Sequence, residues 1–126
     1  MRDEIFKYVK QKYGVEPDYP FPNAPTFPVL RHADNRKWFA LIMDVPRNRL
    51  GLEGEARVDV INVKLSDPLL VGLLTQQPGY FPGYHISRGS WISVLLDKTV
   101  PLEEIYPLID ESFAVTAAKP KKTKRK

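Results

Sequence analysis

The chain contains no cysteine. That excludes disulfide staples, thiolate nucleophiles and cysteine-ligated metal centres, and it fits a reducing compartment. Histidine occurs only as His32 and His85. With no His-x-x-x-His spacing, a metal site would have to recruit scattered carboxylates such as Asp34 or Asp59, so none is expected. Long apolar runs are missing as well, and nothing approaches the roughly 20 residues of a membrane-spanning helix. Met1-Arg2-Asp3-Glu4-Ile5 carries acids where a secretory leader has its apolar core, and the expected location is the cytoplasm. No Gly-x-Gly-x-x-Gly, Walker or Gly-x-Ser-x-Gly pattern occurs, which removes the usual phosphate cradle and the usual serine elbow.

What is present suits one domain. A chain of 126 residues, 43% hydrophobic and 27% charged, buries enough surface to fold without staples. The net charge of +4 is unevenly placed. Six of the 19 basic residues lie in the stretch Lys119 to Lys126, leaving 13 basic against 15 acidic residues in 1–118, a net charge of −2. The expectation is a folded unit over 1–118 and a disordered basic tail over 119–126, whose attraction for phosphates is independent of sequence. Any duplex contact by the body needs a local patch.

Along the chain, Ile5, Phe6, Val9 and Tyr13 are spaced for one apolar stripe, with acids in the first turn and Gly14 as a stop, so a helix is predicted over 3–13. Five prolines between Pro17 and Pro28 forbid a helix and favour an irregular segment whose aromatics plug core edges. Strands are predicted over 29–32, 37–45, 56–65 and 91–96. In the third, Val58 and Val60 share one parity while Ile61, Val63 and Leu65 share the other, which suggests a bulge near Val60. Asp67 and Pro68 open a second helix with Leu69, Leu70, Leu73 and Leu74 as its buried stripe. Pro101 opens a third, in which Pro107 should produce a kink or mark the true start. Successive strands without crossover helices imply hairpin pairing. The expected fold is α+β, a mainly antiparallel sheet of about five strands with three helices on one face.

The densest run is Pro78 to Val94. It gathers four aromatic rings, His85, Arg88 and three serines around two Pro-Gly turns. Loops on a rigid scaffold supply many binding residues, although Tyr84 and Trp91 could equally lock the loop onto the core. His85 and Ser87 are two residues apart and could share one side of an extended segment, but no further catalytic pattern accompanies them, and no enzymatic activity is expected.

Val58-Asp59-Val60-Ile61-Asn62-Val63-Lys64 followed by Leu65-Ser66-Asp67-Pro68, Pro82-Gly83-Tyr84-His85 with Trp91-Ile92-Ser93-Val94, and Ser112-Phe113 together resemble the MmcQ/YjbR family. Tyr19-Pro20-Phe21 and Lys37-Trp38-Phe39-Ala40 match its earlier blocks. The resemblance implies a compact CyaY-like, or double-wing, domain and a proposed DNA-binding role. Two departures stand out: Ser87-Arg88-Gly89-Ser90-Trp91 replaces the family's usual Asn-Lys-x-His-Trp, and Trp38 stands where methionine is common. On this basis Arg31, Arg36, Lys37 and Arg88 are expected to contact phosphates and Tyr84 to add a ring, with Trp38 or Trp91 as further candidates. Tyr84, His85 and Trp91 are expected to shape the loop. DNA is the expected partner of a monomer without cofactor or metal. The alternative is a protein-interaction or small-ligand module in which Trp38 and Ile42 form a patch on the open sheet face.

Overall fold

The computed structural model describes residues 1–83 and 90–118. Within them, β1 (Val29–Arg31), β2 (Trp38–Pro46), β3 (Arg57–Lys64), β4 (Tyr80–Pro82) and β5 (Trp91–Leu95) form one antiparallel sheet in the order β1-β2-β3-β5-β4. Three helices accompany it: α1 (Arg2–Tyr13), α2 (Pro68–Leu74) and α3 (Leu102–Thr116). The α+β class and the helix-on-one-face layout expected from the sequence are the ones observed. None of the helices among the described residues is long and apolar enough to cross a membrane.

The main core lies between sheet and helices, where Ile5, Val9, Phe39, Ile42, Ile61, Val63, Ile105 and Ile109 are fully or almost fully buried. α1 ends as its sequence predicts, on Gly14 with φ of 70°, a left-handed backbone that glycine adopts without penalty. α2 starts where Asp67 accepts a hydrogen bond from the Leu69 N–H. Its buried side differs from the expected stripe: Leu70, Val71 and Leu74 pack on the core, while Leu69 and Leu73 are 72% and 61% exposed. α3 runs unbroken through Pro107. Pro107 and Glu103 both face solvent, so water can take the carbonyl that the missing N–H leaves free.

The second sheet face, open in the sense that no helix packs on it, is partly covered by loop side chains. Val29, Leu41, Met43, Val45, Val60 and Leu95 form a smaller cluster beneath Phe21, Phe27, Leu50 and Leu52. β3 is therefore buried on both faces, and its pairing with β2 and β5 is continuous through Val60. The bulge expected near Val60 is absent, because two apolar parities in one strand reflect two covered faces rather than a slip.

A bulge occurs in β2 instead. Leu30 faces Ala40 and Arg31 faces Trp38, which leaves Phe39 as the extra residue. Phe39 and Ala40 both join the helix-side core, and Trp38 moves to the opposite face. The expected patch of Trp38 with Ile42 is corrected accordingly: Ile42 is 1% exposed on the helix side.

The bulge separates β2 from the end of β3, and side chains fill the gap. The Ser112 hydroxyl donates to the Phe39 carbonyl at 2.6 Å and accepts from the Lys64 N–H at 2.9 Å. From the other face, Asn62 Nδ2 donates to the Leu41 carbonyl at 3.1 Å, and the Ser93 hydroxyl donates to Asn62 Oδ1 at 2.5 Å. Ser112, Asn62 and Ser93 are all fully buried.

α1 and α3 are clamped by Asp110, which accepts from Tyr8 and Tyr13 at 2.6 Å each and from Lys12 at 2.8 Å. Tyr8 stacks on Tyr106 and Tyr13 on Phe113. Burial opposes the charge of Asp110, but the bonds from Lys12, Tyr13 and Tyr8 outweigh it and hold the carboxyl below its ordinary range. Burial, then the bond to Asp110, pushes the Tyr13 phenol up to about 12.

Two outcomes follow. Ser112→Ala leaves a buried N–H and a buried carbonyl without their partner, and is expected to lose roughly 2–4 kcal/mol in urea unfolding; a loss under about 0.5 kcal/mol would mean the bridge carries no weight. Asp110→Asn is expected to be less stable than the natural chain at neutral pH. Because the folded carboxyl titrates below its unfolded value, that stabilisation is full above the unfolded value and fades as pH falls through the folded one. The gap in melting temperature should therefore close below about pH 4.

Candidate nucleic-acid interface

Antiparallel topology brings five chain ends to one end of the sheet: the exits of β1, β3 and β4 and the entries of β2 and β5. Three of the sequence candidates, Arg31, Arg36 and Lys37, lie there. So does Trp91, whose Cα pairs with that of Lys64. Gly83 and Ser90 are anchored at the same end, the Gly83 N–H donating to Trp91 O at 3.1 Å and the Leu65 N–H to Ser90 O at 2.8 Å. Tyr84, His85, Ser87 and Arg88, and the tail expected over 119–126, lie outside the described residues.

The turn between β1 and β2 is built to present two side chains. The Arg36 N–H donates to His32 O and the Lys37 N–H to Asn35 Oδ1, while Asn35 Nδ2 donates to Thr116 O. Arg36 sits at φ of 63°, an uncommon conformation that these bonds hold. With the main chain fixed, the Arg36 and Lys37 side chains are exposed.

Strand alternation sets what the open face shows beside them. Val58, Val60, Asn62 and Lys64 share one parity of β3, and Trp91, Ser93 and Leu95 share one parity of β5. Val60 and Leu95 belong to the open-face cluster, so Lys64 and Trp91 stand on that face too. The bulge puts Trp38 there as well, half-buried and edge-on to Phe21 at 5.6 Å and 82°. One end of the open face thus carries Trp38, Lys64 and Trp91, with Arg36 and Lys37 on the adjoining turn.

Ion pairing separates the cations. Arg2 is held by Asp59 through two bonds, of 2.8 and 3.0 Å, and donates to Thr26 O at 2.7 Å. Lys10 pairs with Glu16, Lys12 with Asp110, Arg47 with Asp97 and Arg57 with Asp44. Arg31, expected to contact phosphate, is held by Asp18 at 2.6 Å. Among the described residues, Arg36, Lys37 and Lys64 have no carboxylate partner. They are the unpaired cations gathered at this end, while Lys7 lies on α1 and Arg49 and Lys98 lie beyond the far ends of β2 and β5.

Lys64 is the residue that sequence reasoning passed over. The signal was available, since its parity in β3 follows Val60 and Asn62, but it was hidden while a bulge was expected at Val60. The candidate metal ligands disperse. His32 is buried with Nε2 2.9 Å from Thr116 Oγ1, among Phe39 and Phe113, and Asp59 is engaged by Arg2. No cluster of metal-ligating side chains occurs among the described residues.

Comparison with known proteins bears on the whole chain. The family model described as YjbR matches residues 10–115. The uncharacterized protein YyaQ of Bacillus subtilis (strain 168) is 44% identical over 115 residues, covering 91% of this chain and 97% of that protein. A crystal structure of a Pseudomonas syringae protein superposes with a TM-score of 0.88 at 43% identity, covering 93% of this chain and 99% of its own. The Deinococcus radiodurans protein DR2400, with a DUF419 domain, shares the fold with a TM-score of 0.71 at 21% identity, over 94% of this chain and 80% of its own.

Proposed function

The chain belongs to the YjbR family, and on that premise we propose that it is a non-enzymatic DNA-binding domain, reading phosphates through the basic and aromatic end of its open sheet face. One observation carries the proposal. Half of the described cations are neutralised by carboxylates, yet Arg36, Lys37 and Lys64 remain unpaired at the end of the sheet that also carries Trp38 and Trp91. Unpaired cations next to ring surface suit a phosphodiester chain, in which charge and flat apolar groups alternate. The buried polar groups of that face, Asn62 and Ser93, bond to each other, and Asn62 also to the main chain, so the exposed chemistry is charge and rings. Arg31 drops from the phosphate set because Asp18 holds it, and Lys64 takes its place.

A second reading, a protein-interaction module, is favoured by a different surface. Leu69 and Leu73 lie one turn apart on α2 and both face solvent. This moves the expected protein contact from the open sheet face to α2.

Fluorescence anisotropy with labelled DNA tests the DNA proposal. Among the described residues every buried core residue precedes Ala118, so a chain ending there should fold and retain binding. Lys37→Gln and Lys64→Gln should each weaken binding to all sequences alike and lower the salt dependence by about one phosphate contact. Disappearance of all affinity with the tail would overturn the proposal.

A further inference from the structure

The helix layer leaves a furrow between α2 and α3. α2 rests on β4 and α3 on β2 and β3, and a slot of about 400 Å³ opens where Leu73 and Leu74 of α2 meet Tyr80, Pro101 and Glu104. Leu69, one turn before Leu73, continues the same flank of α2. With Tyr19, these two leucines are the only exposed large apolar side chains among the described residues. On the other side Glu104, Leu108 and Glu111 are spaced four and three residues apart, which puts them on one face of α3. Contacts at both ends show that this face looks toward α2. The Tyr80 hydroxyl donates to Glu104 at 3.1 Å in the slot, and Glu111 accepts from the Ser66 N–H and hydroxyl at 3.2 Å each, just before α2 begins.

Charge decides what this furrow can take. Among the described residues Glu104 and Glu111 have no cation partner, whereas six other carboxylates are each paired with a lysine or arginine. Asp67 and Glu103 add acids at its two ends, and α2 itself has no charged residue. Lys98, on the turn before Thr99, acts on Glu4 of α1. Leucines rimmed by unpaired acids repel a phosphate-rich surface, whether nucleic acid or anionic lipid. A second copy docked leucine to leucine would bring two acidic rims together. The stretch Lys119 to Lys126 matches the charge, but apart from Pro120 it offers the leucines no apolar side chain. Both features are complemented by a helix with apolar residues four apart and lysine or arginine seven apart beside them, since Glu104 and Glu111 are about 10 Å apart along α3. We propose that the furrow docks a basic amphipathic helix of a partner protein, with its apolar residues on Leu69 and Leu73 and its cations on Glu104 and Glu111. This rests on the protein-interaction reading of α2 and is independent of the DNA proposal.

The probe is a labelled alanine-based helix of about four turns, with two leucines four residues apart and two lysines seven residues apart on one face. Its counterpart has glutamine for lysine, and both are followed by anisotropy on the full chain. The lysine helix is expected to bind roughly fivefold tighter or more, an advantage that shrinks with added salt. Glu104→Gln combined with Glu111→Gln keeps the acceptors for Tyr80 and Ser66 and should remove the advantage, while Leu73→Gln should weaken both helices. Equal affinity of the two helices overturns the inference; if Leu73→Gln still weakens them, the protein-interaction reading of α2 stands. Binding indifferent to Leu73→Gln overturns both, and absence of binding at about 1 mM overturns the inference. A dimer in light scattering that Leu73→Gln dissociates would give the furrow to a second copy, and lysine-helix binding seen only in a chain ending at Ala118 would give it to the tail. Either result overturns the inference.

Discussion

A single hydroxyl closes the place where β2 and β3 part. Ser112 reaches from α3 to the Phe39 carbonyl and the Lys64 N–H, two groups that a regular ladder would satisfy within the sheet. Buried backbone groups must be paired, so the bulge at Phe39 is tenable only with a donor-acceptor of the right length on the covering helix. The consequence reaches the other face. One extra residue reverses the parity of the chain before it, sending Phe39 into the aromatic cluster of Tyr13, His32 and Phe113 and Trp38 to the open side. The ring surface next to Lys37 thus exists because of a serine on the opposite side of the sheet.

Electrostatics completes the asymmetry. Glu16, Asp18, Asp44, Asp59, Asp97 and Asp110 each pair with a lysine or arginine, and the pairs with Arg2, Lys12, Arg31 and Arg57 tie distant segments together. Exposed pairs of this kind add little stability each, but they leave the surrounding surface nearly neutral. Against that background three unpaired cations, Arg36, Lys37 and Lys64, gather at one end of the sheet, where Asp34, Asp67 and Glu111 also lie. A patch of this size suits a few phosphates rather than a long tract.

The order of elements was legible because it rests on local chemistry: Gly14 stops α1, Asp67 and Pro68 start α2, and apolar parity marks β2, β3 and β5. β4 was hidden inside a loop, since Pro78-Gly79 and Pro82-Gly83 punctuate either side of a three-residue edge strand whose partner lies across Trp91 to Leu95. The bulge was misplaced for a physical reason. β3 shows two apolar parities because Phe21, Phe27 and Leu52 cover its second face, and no property of β3 itself announces that cover. In β2 the slip was invisible, since Trp38, Phe39, Ala40, Leu41, Ile42 and Met43 suit either face. Of the candidate site, Arg36 and Lys37 are exposed on the turn between β1 and β2. Arg31 could not be judged from sequence, because its partner Asp18 belongs to a Pro-rich segment of no regular structure.

The account depends most on the bridge from α3 into the sheet, and amide hydrogen exchange at Lys64, followed by NMR, measures it directly. Lys64 is at the end of its strand, where an amide without the Ser112 acceptor would exchange nearly as fast as an exposed turn. With the bridge formed, its protection should match that of Ile61 and Val63 in the strand interior, opening only with global unfolding. Exchange of the Lys64 amide at the rate of a frayed end would contradict the bridge, and with it the placement of Trp38 on the open face.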